Sequence, residues 1–259
     1  MFSYYMKRIY SSAVFWGCAV LLAIVMIIGC YWDLSFARKS VQPVLYCFLV
    51  TNTVGISHAL APIVAAAPFL YFYVEEIEKK AVYYQMIRSI KKAYFGGQIA
   101  AALLSASSVI IVTLVLFTVI CLAFGANWGV NPPLASYFRG AFFEDLMNRN
   151  GFILYLIYAG AMVLYCLPWT LFGMLTSFFT RNKYMIIAMP YISFMILSYL
   201  TELLSVMWLN PGMTLLKAQM VREAYGGVPF ALVYNMSLAG VLALIYYIAS
   251  QRRIRHEGL

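Results

Sequence analysis

Charge is what this chain has least of. Asp, Glu, Lys and Arg together make up 10% of its 259 residues, and only two residues are histidine. A water-soluble domain usually carries about a quarter charged residues. In their place the chain is 64% hydrophobic, with a mean hydropathy of +0.84. A soluble fold of this length buries a core, but it has nowhere to hide so much apolar surface. A bilayer solvates apolar side chains directly. It also requires every backbone polar group to be bonded internally, so spanning units are helices or a closed barrel. The long apolar runs show no period-two alternation, which favours helices.

Other absences narrow the chemistry. No two of Cys18, Cys30, Cys47, Cys121 and Cys166 form a C-x-x-C pair, and His58 and His256 are the only histidines, so there is no structural zinc pattern. The cysteines read as small buried hydrophobes. No G-x-x-x-x-G-K-[ST] loop is present, which excludes ATP binding by that route, and no H-E-x-x-H zinc site is present. Gly55-Ile56-Ser57-His58 is similar to the nucleophile of an intramembrane serine protease, but the base must come from elsewhere in the fold. The only other histidine, His256, lies in the tail. Glu75-Glu76 is similar to the paired glutamates of membrane prenyl-protein proteases, which also need intramembrane histidines that this chain lacks. An enzyme is therefore not expected, and no catalytic, cofactor-binding or metal-binding residue is assigned. The net charge of +9 does not point to nucleic acid, because the basic residues sit in short clusters at the ends of apolar runs.

Six such runs are present, about 11–31, 44–73, 94–124, 152–178, 184–209 and 228–250. Each reaches the roughly 20 residues that cross a bilayer core. The first is longer than the apolar region of a secretory signal, about 7–15 residues, and reads as a retained span. Met1–Ile9 reads as a short amphipathic surface helix, with Phe2, Tyr5, Met6 and Ile9 dipping into the headgroup region and Lys7 and Arg8 facing phosphates. Asp33–Gln42 reads as a polar loop, and Pro62 and Pro68 should kink the second span. With the N-terminus inside, the inner segments hold Lys7, Arg8, Lys79, Lys80, Arg88, Lys91, Lys92, Arg181, Lys183, Arg252, Arg253 and Arg255. The outer ones hold only Arg38, Lys39, Arg139, Arg149, Lys217 and Arg222. This twofold bias places both termini in the cytoplasm. The expected fold is a single all-α integral membrane domain over 1–259, with six transmembrane helices.

Between the second and third runs lies Phe72–Lys92, FYVEEIEKKAVYYQMIRSIKK. Acidic residues lead and basic residues follow, which complements a helix dipole. Glu75 with Lys79, and Glu76 with Lys80, are i,i+4 pairs in the favourable order. Val74, Ile77, Ala81 and Tyr84 recur at helical spacing. The residues fit either a short cytoplasmic amphipathic helix or a solvated loop that obeys the positive-inside rule.

Over nearly its full length the chain resembles the permease subunits of type-2 ATP-binding-cassette (ABC) exporters. The shared features are the surface-helix start, six spans with both ends inside, a longer outer loop before span six, and the acidic-to-basic segment that ends in Arg88, Lys91, Lys92 and Tyr94. A glycine usual a few residues after the acidic group is replaced by Ala81-Val82. The resemblance implies that residues 75–92 carry the coupling helix that docks on an ATPase subunit. Ile77, Ala81 and Tyr84 would be its seated face, and Glu75, Glu76 and Arg88 would fix its register across the interface or back to the permease. It further implies a partner ATP-binding chain that holds the ATP and Mg, a second permease subunit of the same or similar sequence, surrounding lipid, and a multi-pass place in a bacterial plasma membrane. The aromatic content suits a hydrophobic or amphipathic cargo such as a peptide or lipid. The alternative is a transporter not driven by ATP, or a membrane sensor.

Polar groups inside apolar runs are costly and often functional. Asn52 and His58 in span two, and Glu202 two turns from the outer end of span five, are candidates for a substrate pathway; Asn235 is a weaker one. Thr51 and His58 are seven apart and should share a face. Glu202 could instead pair with Lys217 or Arg222. Gly97, Ala101 and Ser105, and likewise Ser57, Ala61 and Ala65, form small-residue rows that suit close internal helix packing.

Overall fold

A computed structural model of the chain describes residues 2–37, 43–53, 55–78, 91–129, 150–180, 182–206, 209–211 and 227–256. The described residues are helical, with no named strand. In chain order the helices are α1 (Phe2–Tyr10), α2 (Ala13–Gly29), α3 (Tyr31–Ala37), α4 (Val44–Thr53), α5 (Ser57–Glu78), α6 (Lys91–Ala123), α7 (Gly151–Thr176), α8 (Lys183–Leu203) and α9 (Gly227–His256). Five of them, α5 to α9, are long and apolar enough to cross a membrane. The pair α1 and α2 adds a sixth only when counted together across a bend of 61°.

Short polar side chains start three of the helices. Asn150 accepts from the amides of Phe152 and Ile153, and Asn182 accepts from those of Tyr184 and Met185. Ser12 accepts from the Phe15 amide at the head of α2. These caps satisfy amides that have no partner inside the helix. On α2, Phe15, Ala19, Leu22, Ala23 and Met26 form the buried face, while Trp16, Val20, Leu21, Ile24 and Ile28 point away from the protein. That inversion suits a helix whose outer face meets hydrocarbon.

α5 is the central element. In its most apolar stretch 67% of residues are buried, against 28% in α8 and in α9. It packs on α2, α6, α7 and α8. Small residues make this possible: Ser57, Ala61 and Ala65 are all buried, as are Ala101 and Ser105 on α6. Gly173 on α7 lies where a Cβ would sit 2.4 Å from a Leu70 methyl and 3.2 Å from the Pro190 ring, so three helices meet closely there.

Several expectations are corrected. The second apolar run is not one helix: it divides into α4 and α5. The break lies upstream of Pro62 and Pro68, and α5 runs on as helix through both. Polar side chains hold the break instead. Asn52 donates to the Phe48 carbonyl, and Ser57 donates to the Thr51 carbonyl and approaches the Asn52 amide oxygen at 3.1 Å. Side-chain bonds to local backbone compete with the helical ladder and supply partners where it stops. Because the helix stops between them, the spacing of seven no longer puts Thr51 and His58 on a shared face.

The first span is also shorter than its apolar run. α2 ends at Gly29, and Asp33–Ala37, expected as loop, belongs to α3. The last turn of the fifth span ends at Leu203 rather than 209. Finally, α1 does not turn its apolar face to headgroups. Tyr5, Met6 and Ile9 are buried against the bundle, and Arg8 points inward with them. Packing on protein removes these side chains from water as well as lipid would, and it also satisfies their polar ends.

Candidate functional site

One network of polar side chains lies at the end of the bundle where α1, the end of α5, the start of α6, the end of α7 and the end of α9 meet. Arg8 on α1 reaches Glu75 at 2.6 Å and Glu76 at 3.5 Å. Its guanidinium lies over the Phe72 ring, 4.7 Å from the centroid. The Tyr5 hydroxyl donates to the second Glu76 oxygen at 2.5 Å. Glu76 is 2% exposed, so this carboxylate is held by protein rather than by water. A buried charge needs a paired, hydrogen-bonded setting. Arg8 and Tyr5 supply it.

Gln98 on α6 is the hub. Its amide nitrogen donates to the Tyr5 oxygen at 3.2 Å and to the Tyr94 oxygen at 2.8 Å, and its carbonyl accepts from Tyr246 of α9 at 2.8 Å. Both N–H groups and the carbonyl of one amide are thereby used, which orients it uniquely. From Tyr246 the contacts pass to Tyr73 at 3.1 Å and on to Ser177 at 3.1 Å. Five helices are thus joined by side-chain hydrogen bonds inside an apolar protein, where such bonds are strong and an unmade one is costly. A sequence reading had no reason to link these positions. The available signal was Gln98 as a lone amide in a long apolar run, and the repeated tyrosines at helix ends.

The residues expected to couple to an ATPase fall in two groups. Glu75, Glu76 and Ile77 form the last turn of α5 rather than the start of a separate helix. Ile77 packs against the core. The carboxylates of Glu75 and Glu76 face Arg8 of the same chain. Ala81, Tyr84 and Arg88 lie outside the described residues.

The pathway candidates do not converge. Asn52 is buried and engaged in the break between α4 and α5. His58, in the first turn of α5, has its Nδ1 3.1 Å from the Gly55 carbonyl, and its own carbonyl accepts from Tyr165. Both therefore hold the broken span in shape. Glu202 is exposed in the last turn of α8. Lys217 and Arg222, its expected partners, lie outside the described residues. Asn235 is buried in α9, donating to the Ala231 carbonyl.

Between α6 and α7 an apolar cavity of about 800 Å³ is lined by residues such as Leu114, Val115, Trp128, Tyr155, Leu156 and Val163, with Leu232 of α9 at one edge. Its polar edge is the pair Thr118 and Tyr155, 2.7 Å apart. Among the described residues no group of three or more His, Cys, Asp or Glu side chains is arranged to hold a metal ion. At the opposite end from Gln98, partial burial raises the Asp33 carboxyl above its ordinary range.

Composition and fold together define a helical, multi-pass membrane protein. No family model matches the chain, and neither a curated protein nor a solved structure matches it.

Proposed function

We propose that the chain is the membrane subunit of an ABC-type exporter, driven by ATP hydrolysis on a separate partner chain. In this reading it has six spans, with the bent pair α1–α2 forming the first, and both termini are cytoplasmic. The observation that carries it is the anchoring of Glu75 and Glu76. The segment that follows them is the one whose pattern suits an ATPase contact. A docked element transmits force only if its root is stiff. Here the root is tied by two carboxylates to Arg8 and Tyr5, and through Gln98 to α6 and α9. Movement of the segment would then shift α1, α5, α6 and α9 together. The role left to Glu75 and Glu76 is to hold the segment to the permease, while Tyr84 and Arg88 would meet the ATPase. An apolar or amphipathic cargo suits the cavity between α6 and α7.

The test uses residues beyond the anchored root. Tyr84→Ala with Arg88→Glu should weaken co-purification of a phosphate-loop ATPase, or uncouple its hydrolysis from export, while the spans still insert. Intact association, hydrolysis and export in that double variant would overturn the coupling role.

A second reading is favoured by one observation. Span two is broken at buried polar residues, as in transporters whose unwound helices bind substrate near the midplane. Uptake by vesicles that contain this chain and no ATPase, driven by an ion gradient alone, would select it.

A further inference from the structure

α8 and α9 both pack on α7 but barely on each other. Between the three helices lies a cavity of about 170 Å³, lined by residues such as Trp169 and Phe172 of α7, Ser193 and Ile196 of α8, and Leu238 and Leu242 of α9. Ser193 is the middle residue of α8, and Leu238 and Leu242 lie near the middle of α9, so the cavity sits at mid-depth in the bundle. Among the described residues, none that lines it is charged. Two of the lining residues, Ile196 and Leu200, are exposed on the outside of the bundle. The cavity is therefore reached from the side, through whatever surrounds the helices.

One wall carries an unused donor. Trp169 is 2% exposed, and among the described residues its indole N–H has no hydrogen-bond partner. An indole nitrogen only donates, and a buried donor left without an acceptor is costly. The ring that stands perpendicular to the indole, Phe194 at 5.6 Å between centroids, offers it no oxygen or nitrogen. The one hydroxyl in the lining, that of Ser193, donates to the Met189 and Pro190 carbonyls, which leaves its oxygen able to accept. Water suits this cavity poorly. A buried water typically makes about three hydrogen bonds, and the side chains here offer two polar groups in an otherwise apolar lining.

We propose that this cavity binds a neutral, ring-sized phenol that enters from the hydrocarbon. Size supports a single ring: an apolar cavity of about 150 Å³ takes up benzene, and this one is slightly larger. Depth supports neutrality, because a charge is costly in the middle of a membrane. The polar pair supports a hydroxyl, which accepts from the Trp169 N–H and donates to the Ser193 oxygen. An apolar body with a few placed polar groups is the usual make-up of a small-molecule site. Once occupied, the cavity bridges α8 and α9, which otherwise touch little.

The experiment titrates the intact chain in mild detergent with 4-fluorophenol and, separately, with fluorobenzene, followed by fluorine NMR and read against protein-free micelles. 4-Fluorophenol should bind saturably and about threefold or more tighter than fluorobenzene, as one added hydrogen bond implies. Trp169→Phe should keep the binding of fluorobenzene and abolish the preference for the phenol. Leu238→Phe, which fills the cavity, should remove saturable binding of both, and it decides the matter on its own if Trp169→Phe does not fold. No saturable binding to the parent protein would overturn the proposal. So would equal affinities in the parent, a preference that survives Trp169→Phe, or binding that survives Leu238→Phe. None of these outcomes depends on whether the chain works with an ATPase.

Discussion

Arg8 and Glu75 are 67 residues apart in the chain and 2.6 Å apart in space. The contact joins the amphipathic N-terminal helix to the foot of the central one. Its neighbour Glu76 is the more deeply placed carboxylate, 3% exposed against 24% for Glu75. That difference ranks the two acids energetically. Exposed ion pairs contribute little, whereas removing one partner of a buried pair leaves a charge without compensation.

The first prediction follows from that ranking. Arg8→Ala should cost up to about 3 kcal/mol, because Glu76 loses its counter-charge in a dry setting. Glu75→Ala should cost about 1 kcal/mol or less, since Glu75 is partly solvated. Thermal unfolding of the detergent-solubilised variants gives the order. A double-mutant cycle between Arg8 and Glu76 should show coupling above roughly 0.5 kcal/mol. Additive effects would mean the pair is not coupled in the folded protein.

The hub residue gives the second. Gln98→Leu removes two donors and an acceptor at once, leaving the Tyr246 hydroxyl without the acceptor it uses. Each buried group so orphaned costs about 1–3 kcal/mol. Gln98→Leu should lower the thermal midpoint more than Gln251→Leu, a change at the same end of the bundle with no such network. Equal midpoints would show that the network contributes no stability.

The third concerns the close approach of α2 to the broken span. A Cβ on Gly55 would lie 2.4 Å from the Thr51 carbonyl oxygen, and one on Gly29 would lie 2.5 Å from the Thr51 hydroxyl. Backbone cannot give way as a flexible side chain does. Gly55→Ala should therefore destabilise the protein, with loss of monodisperse material on size exclusion. Gly17→Ala meets nothing within 4 Å and should be neutral or stabilising. Well-behaved Gly55→Ala protein would argue that the break between α4 and α5 is pliable.

Orientation supplies the fourth. In a background lacking the native cysteines, a membrane-impermeant thiol reagent applied from outside should label cysteine placed at Ser136 or Ala218. It should not label cysteine at Ser89 or His256. Labelling at Ser89 would invert the proposed topology and place the Arg8–Glu76 network at the outer face.

Much of the fold was legible because it rests on local, additive properties. Apolar length and low charge mark the membrane class and place α6 to α9, with both ends of α6 and α7 within a few residues, whatever those helices pack against. The direction in which a polar side chain turns was not legible. The helical spacing of Glu75 and Glu76 with Lys79 and Lys80 describes an exposed surface helix equally well. Only the packing of α1 against α5 turns these carboxylates toward Arg8 and Tyr5. Span two shows the same limit: a continuous apolar run allows a helix to persist, but the Asn52–Ser57 contacts decide that it stops. Likewise nothing in the spacing along the chain predicts that α2, α4 and α6 pack on one another. Their meeting depends on how α2, α4 and α6 converge, and convergence of helices is set by the shapes they bury rather than by periodicity along any one of them.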